Sequence, residues 1–215
     1  MLNLLTNDPM SFLLTLVALV IAFTVHELAH GLMAYTLGDK TAKHDGRLTL
    51  NPIRHIDVLG LLFIMFAGFG WAKPVMVNPS NFRYPKQDMA LTAVAGPLSN
   101  FAMAFVATII FFMLVGSMGN VFAIGLWGSF LLTFININLV LGIFNLLPIP
   151  PLDGSKLFGS ILPDTAYFRF ISMGGRFSML ILLVLVVTNT LFPIISSIHG
   201  FLFELMFRVG QALFG

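Results

Sequence analysis

Cysteine is absent from all 215 residues, and charged side chains make up only 9% of them. The first absence excludes a disulfide framework and every zinc site built on thiolates, so a bound metal must be held by His, Asp, Glu or Asn. The second excludes an ordinary soluble domain, in which about a quarter of residues are charged. With 58% hydrophobic residues and a mean hydropathy of +0.95, the chain reads as an integral membrane protein whose solvent is largely lipid. The net charge of +2 is too small to suggest a nucleic-acid partner, and the basic residues read better as topology markers. Repeats, low-complexity tracts and flexible linkers are missing too, which leaves a single domain over residues 1–215. The amino-terminal stretch Met1-Leu2-Asn3-Leu4-Leu5-Thr6-Asn7-Asp8-Pro9 lacks a basic region and a small-residue cleavage site. It is therefore not expected to be a signal peptide, and the first hydrophobic segment is expected to stay.

What is present is a series of long apolar runs. A spanning helix needs roughly 20 mostly apolar residues. On that measure five spans are predicted, at 10–36, 89–116, 122–147, 176–193 and 195–213, the last two short or tilted. The apolar stretch from Val58 to Phe69 is too short to cross and reads as re-entrant or half-buried. On either side of it, Gly46–Pro52 alternates polar and apolar residues and Lys73–Pro79 is β-branched with prolines at its ends. Both read as short strands at a sheet edge. The predicted fold is thus an all-α polytopic membrane protein with a re-entrant segment and short β-strands at the cytoplasmic side. Lys40, Lys43, Arg47, Arg54, Lys73, Arg83 and Lys86 lie between the first two spans, and Lys156, Arg169 and Arg176 between the third and fourth. By the positive-inside rule both connections are cytoplasmic and the N-terminus is outside.

The first span carries His26-Glu27-Leu28-Ala29-His30 near its far end. Residues four apart share one face of a helix, so His26 and His30 can offer imidazole nitrogens to one metal ion. Glu27, one step around, can take a proton from water activated at that metal without being a ligand. In soluble proteins this pattern marks zinc metalloproteases; inside an apolar helix it implies hydrolysis within a membrane. Taken alone, an intramembrane histidine can equally bond a neighbouring carbonyl. An isolated glutamate in a span is costly, however, and ionisable residues there are functional by default.

Two histidines do not complete a catalytic zinc site, which takes three protein ligands and keeps a fourth position open. His30 lies about 9 Å from the helix end at Thr36, so the third ligand should sit near a cytoplasmic helix end. Asp153 meets that condition. It follows the third span within Asn145-Leu146-Leu147-Pro148-Ile149-Pro150-Pro151-Leu152-Asp153-Gly154, where the prolines force the helix open. Asp153 could also be a cap or a loop aspartate. Asp57, beside His55 in Arg54-His55-Ile56-Asp57, is the rival ligand. Asn145 could donate to the oxyanion of a tetrahedral intermediate, or serve only as an interhelical hydrogen bond. Asn100, in Ala95-Gly96-Pro97-Leu98-Ser99-Asn100, reads as structural because its small neighbours favour close helix packing. His44 and His199 lie in connections and suggest no role.

Together, His26–His30, the 145–154 motif, Gly46–Gly60, Lys73–Pro79 and Ala95–Asn100 resemble the site-2 protease family of intramembrane zinc metalloproteases. The likeness is to its compact bacterial-type members and runs from about residue 20 to 155. It implies one zinc per chain, held by His26, His30 and Asp153, with Glu27 as general base or acid. It further implies cleavage of transmembrane segments of membrane-protein substrates in a bacterial cell membrane, usually within regulated intramembrane proteolysis. The catalytic core would then be about 10–155, with accessory helices at about 176–213. No loop has room for a PDZ domain, and no CBS regulatory pair is expected beyond residue 215. An extended substrate is expected to pair with the strands, along Leu48 and Leu50 and along Val75 and Val77. The rival readings are a metal transporter, which gives Glu27 no catalytic task, and an inactive scaffold, which the full set of presumed catalytic residues disfavours.

Overall fold

Hydrocarbon offers no partners to a bare backbone, so a chain this apolar must satisfy its N–H and C=O groups within its own helices. The computed structural model describes residues 6–67, 70–118 and 125–214, except the side chains of 65, 67 and 168–179. In chain order it holds α1 (Pro9–Thr36), the single turn α2 (Thr41–His44), α3 (Val58–Ala67), α4 (Pro85–Met118), α5 (Gly125–Asn145), the short α6 (Asp153–Gly159), α7 (Asp164–Val187) and α8 (Phe192–Phe214). Local signals set the boundaries. Asp8 caps α1 by accepting from Ser11 N at 3.1 Å, with Pro9 in the first turn, where its missing N–H costs nothing. At the other end of the chain, Asn189 takes φ +54° and stops α7: Thr190 N–H reaches Leu185 O and Asn189 N–H reaches Val186 O. That pair of bonds is a Schellman closure, with asparagine where glycine is commoner.

Among the described helices four are long and apolar enough to cross a membrane: α1, α4, α5 and α8. Three predicted spans coincide with α1, α4 and α5, and the last with α8. The span expected at 176–193 is different. There the helix α7 starts at Asp164 and ends at Val187, taking in Arg169, which the boundary drawn on apolarity at 176 leaves out. α1, α4 and α5 pack on one another, and α8 lies against α4 and α5. Three of the four alanines of α1, Ala18, Ala22 and Ala34, are wholly buried, as expected where small residues let helix backbones approach. Ala104, Ala107 and Phe111 of α4 meet Leu131, Ile135 and Leu139 of α5, and Phe203 and Phe207 of α8 close over them.

The two predicted strands are not strands. No β-ladder occurs among the described residues. Instead Asn51 caps a tight 3-10 turn at Pro52–Arg54, and 73–77 runs extended without a ladder partner. Prolines at 52, 74 and 79 remove the donors a ladder needs. A side chain does the joining: the Arg47 guanidinium donates to Arg54 O, to Lys73 O at 2.5 Å and to Pro74 O at 3.0 Å. One backbone bond, Lys73 N–H to His55 O at 2.9 Å, supplements it. The apolar stretch after His55 becomes the ten-residue helix α3, about 15 Å long and half the thickness of a bilayer core. Its residues Val58, Leu59 and Phe66 are exposed; Gly68 and Phe69, the end of the predicted stretch, lie outside the described residues.

Asp39 ties this irregular segment to the end of α1. Fully buried, its carboxylate accepts from Thr41 N and Oγ1, from Asn78 N at 2.8 Å and from Asn81 Nδ2 at 2.7 Å. Burial alone would raise its pKa, but the hydrogen bonds from Thr41, Asn81 and Asn78 outweigh it and hold the carboxyl below its ordinary value. Its stabilising effect is therefore complete above the unfolded carboxylate range and is lost as pH falls through the lowered folded value. Asp39→Ala should cost about 2–3 kcal/mol at neutral pH. Thermal unfolding in detergent should show that gap at pH 7 and show it closing once the pH drops well below the ordinary aspartate pKa.

Candidate metal centre

α1 brings His26 and His30 to one buried face, 5% and 8% exposed, with their Nε2 atoms 3.0 Å apart. Asp153 arrives from a different element. After α5 ends at Asn145, prolines 148, 150 and 151 prevent a regular helix, and the chain turns until α6 begins at Asp153 itself. Gly154 makes this turn possible, since a Cβ there would collide with the Leu146 carbonyl and lie 2.5 Å from Leu147 O. Asp153 Oδ2 stands 3.2 Å from His26 Nε2 and 3.1 Å from His30 Nε2. Its other oxygen, Oδ1, meets Lys156 Nζ at 3.2 Å.

The hydrogen bonds behind the imidazoles decide what these three atoms offer. The Phe134 carbonyl can only accept, so Asn138 turns its Nδ2 to it, at 2.8 Å, and its Oδ1 to Asn100. Asn100 donates Nδ2 to that oxygen at 2.8 Å, which leaves Asn100 Oδ1 facing His26 Nδ1 at 2.5 Å. His26 must therefore carry its proton on Nδ1. His30 Nδ1 donates to the Thr92 carbonyl at 2.7 Å, so its proton sits there too. With Nε2 unprotonated, as a metal ligand requires, the two rings point lone pairs at each other and at a carboxylate oxygen. Three acceptors within 3.2 Å repel one another unless a cation lies among them. The triangle has the right size for one, because zinc with bonds of 2.0–2.1 Å in tetrahedral geometry has ligand atoms about 3.3 Å apart. Among the described residues these three form the cluster able to hold a metal. Histidine ligands anchored through Nδ1–H to a carbonyl oxygen are the usual second layer of such a site.

A single stripe of α4 supplies that layer. Thr92 holds His30, Asn100 holds His26, and Gly96 lies between them, where a Cβ would fall 2.7 Å from His26 Cε1 and closer still to His30. Pro97 lacks the N–H that would bond the Ala93 carbonyl, so the helical ladder is open at this level. The histidines, Glu27, Asp153 and Lys156 line a cavity of about 520 Å³ with Trp71 and Asn145. Glu27 Oε2 accepts from Val75 N–H at 2.8 Å. An apolar cavity of about 560 Å³ adjoins it, sharing Phe23, Gly70, Leu141 and Phe144 as walls and running on between α1, α5, α7 and α8.

The other expected residues divide. Asn145 lines the first cavity, with one amide proton used on Leu141 O at 3.0 Å. Val75 and Val77 line it as well. Leu48 does not line it but packs towards Gly31, and Leu50 is 66% exposed. Asp57 stands apart from the cluster and caps α3 through Gly60 N–H at 2.8 Å, and His55 Nε2 bonds Thr49 O. Sequence reasoning missed Asn100 as a partner of His26, and it missed Thr92 and Lys156, while the close packing it expected around Gly96 is present. The Gly-Pro pair before Asn100 was the available signal, since it marks a helix opened for close approach.

Comparison with known proteins bears on this arrangement. Over 216 aligned residues the chain is 39% identical to a Bacillus subtilis protein named "Putative zinc metalloprotease YwhC", covering 95% of this chain and 96% of that one. The profile of Peptidase family M50 matches residues 115–187, a stretch that includes Asp153. The chain belongs to peptidase family M50. Two further relatives carry the same designation: MJ0611 of Methanocaldococcus jannaschii, 33% identical over 68% of this chain and 69% of that one, and Rip2 of Mycobacterium tuberculosis, 28% identical over 90% and 74%. No solved structure matches. This M50 protein is thus an integral membrane protein of a zinc metalloprotease family, with four helices suited to a bilayer.

The role of Asn100 is testable without an activity assay. Asn100→Ala should lower zinc affinity about 10–100-fold, as loss of an outer-layer partner usually does. Asn136→Ala should leave it unchanged, since among the described residues Asn136 bonds Leu132 O of its own helix and none of the three candidate ligands. Competition against a chelator of known affinity reads both.

Proposed function

We propose that this M50 protein is an intramembrane zinc endopeptidase that cleaves transmembrane segments of other membrane proteins, with zinc held by His26, His30 and Asp153. The observation that carries the reading is the convergence of three ligand-type atoms in the cavity that the Glu27 carboxylate also lines, walled by apolar helices. Zinc at these ligands supplies a Lewis acid that acidifies water and polarises a carbonyl.

The chain's own residues do the rest. Glu27 has one oxygen, Oε2, held by Val75 N–H, so Oε1 is the atom that takes the proton from the attacking water. Glu27 then delivers that proton to the leaving amine nitrogen. Asn145 keeps a second amide proton for the oxyanion of the tetrahedral intermediate. Lys156 holds Asp153 Oδ1 and so keeps Oδ2 towards the histidines. A substrate helix enters through the adjoining apolar cavity, whose walls exclude water. There it must unwind, because a helix hides its amides in its own hydrogen bonds. Among the described residues the backbone of Val77 makes no hydrogen bond, and the extended 75–77 segment is the edge on which an unwound substrate pairs. Leu48 and Leu50, away from the cavity, leave that pairing to Val75 and Val77 alone. The positive-inside charges put the N-terminus outside and the site near the cytoplasmic face.

A metal transporter would use the same ligands but has no use for Glu27. In proteoliposomes with a transmembrane substrate, Glu27→Gln should keep one zinc per chain and lose at least about 10²-fold in cleavage. Asp153→Ala should lose the zinc itself. Cleavage by Glu27→Gln at the wild-type rate, or full zinc in Asp153→Ala, overturns the assignment. Val75→Pro removes the N–H on Glu27 and should depress kcat, whereas Val75→Ala, which keeps that N–H, should restore most of it.

A further inference from the structure

A second polar cavity, of about 590 Å³, lies on the other side of the 73–77 segment. Arg47, Arg54 and Lys73 open on it, and Asp45 is the sole carboxylate among its lining residues. Arg47 is only 7% exposed. Its guanidinium is hydrogen-bonded by three backbone carbonyls, yet among the described residues it meets no carboxylate. Carbonyls satisfy its donors but leave its charge uncompensated, a costly condition for a buried ion. Arg54 and Lys73 are exposed and likewise form no ion pair among the described residues. A topology signal requires positive charge near one face of a membrane, but it does not require three cations around one hollow, one of them buried.

The rim has the opposite character. Leu50, Ile53 and Met76 are 66%, 80% and 62% exposed, and α3 beside them exposes Val58 and Leu59. A cationic hollow inside an apolar collar, on a protein that lives in lipid, suits a ligand with an anionic head and an apolar tail. We infer that this cavity binds the phosphate headgroup of an anionic phospholipid. The site is tied to the metal centre through shared walls. Pro74 and Met76 line both cavities, and Arg47 grips the carbonyls of Lys73 and Pro74 directly before the Val75 amide that holds Glu27. A bound headgroup therefore steadies the strap that positions the base.

The test reads lipid retention and is independent of proteolysis. Full-length chain in detergent is titrated with phosphatidylglycerol or phosphatidylcholine and read by native mass spectrometry, with and without inorganic phosphate. Wild type should retain phosphatidylglycerol preferentially. The Arg54→Gln, Lys73→Gln pair, both exposed and tolerable to the fold, should lose about 30-fold of that retention, the effect of two surface cations. A control pair of equal charge, Lys40→Gln with Arg83→Gln, should retain it. Unchanged retention in the first pair, or equal loss in the control pair, overturns the site. Displacement of the lipid by inorganic phosphate at matched concentration overturns the lipid assignment in favour of a free anion.

Discussion

Everything in this structure turns on three lone pairs facing one another. Two imidazole nitrogens and a carboxylate oxygen, each within 3.2 Å of the others, form an arrangement that, with both nitrogens unprotonated, repels itself and makes sense around a cation. What holds it is a one-way chain of hydrogen bonds. The Phe134 carbonyl orients Asn138, Asn138 orients Asn100, and Asn100 puts the proton of His26 on the side away from the site. In a low-dielectric interior such a chain cannot be half made, because each unpaired member would cost more than the bond it forfeits. The inward-facing tautomer is thus a property of α5 and α4 as much as of the histidines.

That dependence explains the helix order. The motif on α1 can present two ligands and a base, and no more. Bringing Asp153 to the two histidines requires α5 to stop and α6 to start at the same depth, and the ring orientations require α4 to pass directly over α1. Alanines on α1 and Gly96 on α4 permit that approach. A larger residue at position 96 would occupy the space of the two rings. Small residues here serve packing and chemistry together, which is how membrane helices associate when apolar burial gives no preference for helix over lipid.

Much of this was legible beforehand. Three spans and the final helix follow from apolarity, and the metal-type residues of α1 announce themselves by spacing. Asp153 was approachable through its prolines, yet Asp57 remained a rival until α3 formed and took it as a cap. The errors share one cause, which is that local pattern was read where a distant side chain decides. Gly46–Pro52 alternates as a strand does, but Arg47 reaches across to Lys73 and Pro74 and replaces the ladder with carbonyl contacts. Leu48 and Leu50 were read from the same alternation, and they lie away from the cavity that Val75 and Val77 line. Asn100 looked like packing because its partners, His26 and Asn138, lie 74 and 38 residues away. The start of α7 was missed because a window that scores apolarity stops at charges, whereas the helix begins at Asp164 and runs on through Arg169.

The segment 73–77 gathers these lessons. By sequence it is a proline-bounded strand; in the fold it is an extended strap with no ladder partner, gripped by a buried arginine on one side and bonded to Glu27 on the other. A ladder would have fixed it rigidly and used up its edge. The arginine clamp fixes its carbonyls at positions 73 and 74, and among the described residues the backbone of Val77, which lines the cavity, stays unpaired. The proposed intramembrane endopeptidase would face two conflicting demands: its base must be held still, and an unwound substrate must find free backbone to pair with. A strap pinned by a side chain meets both, because the pin lies outside the edge that the substrate would use. On this argument the prolines at 74 and 79 are part of the site, since they keep the strap out of a sheet and its inner edge available.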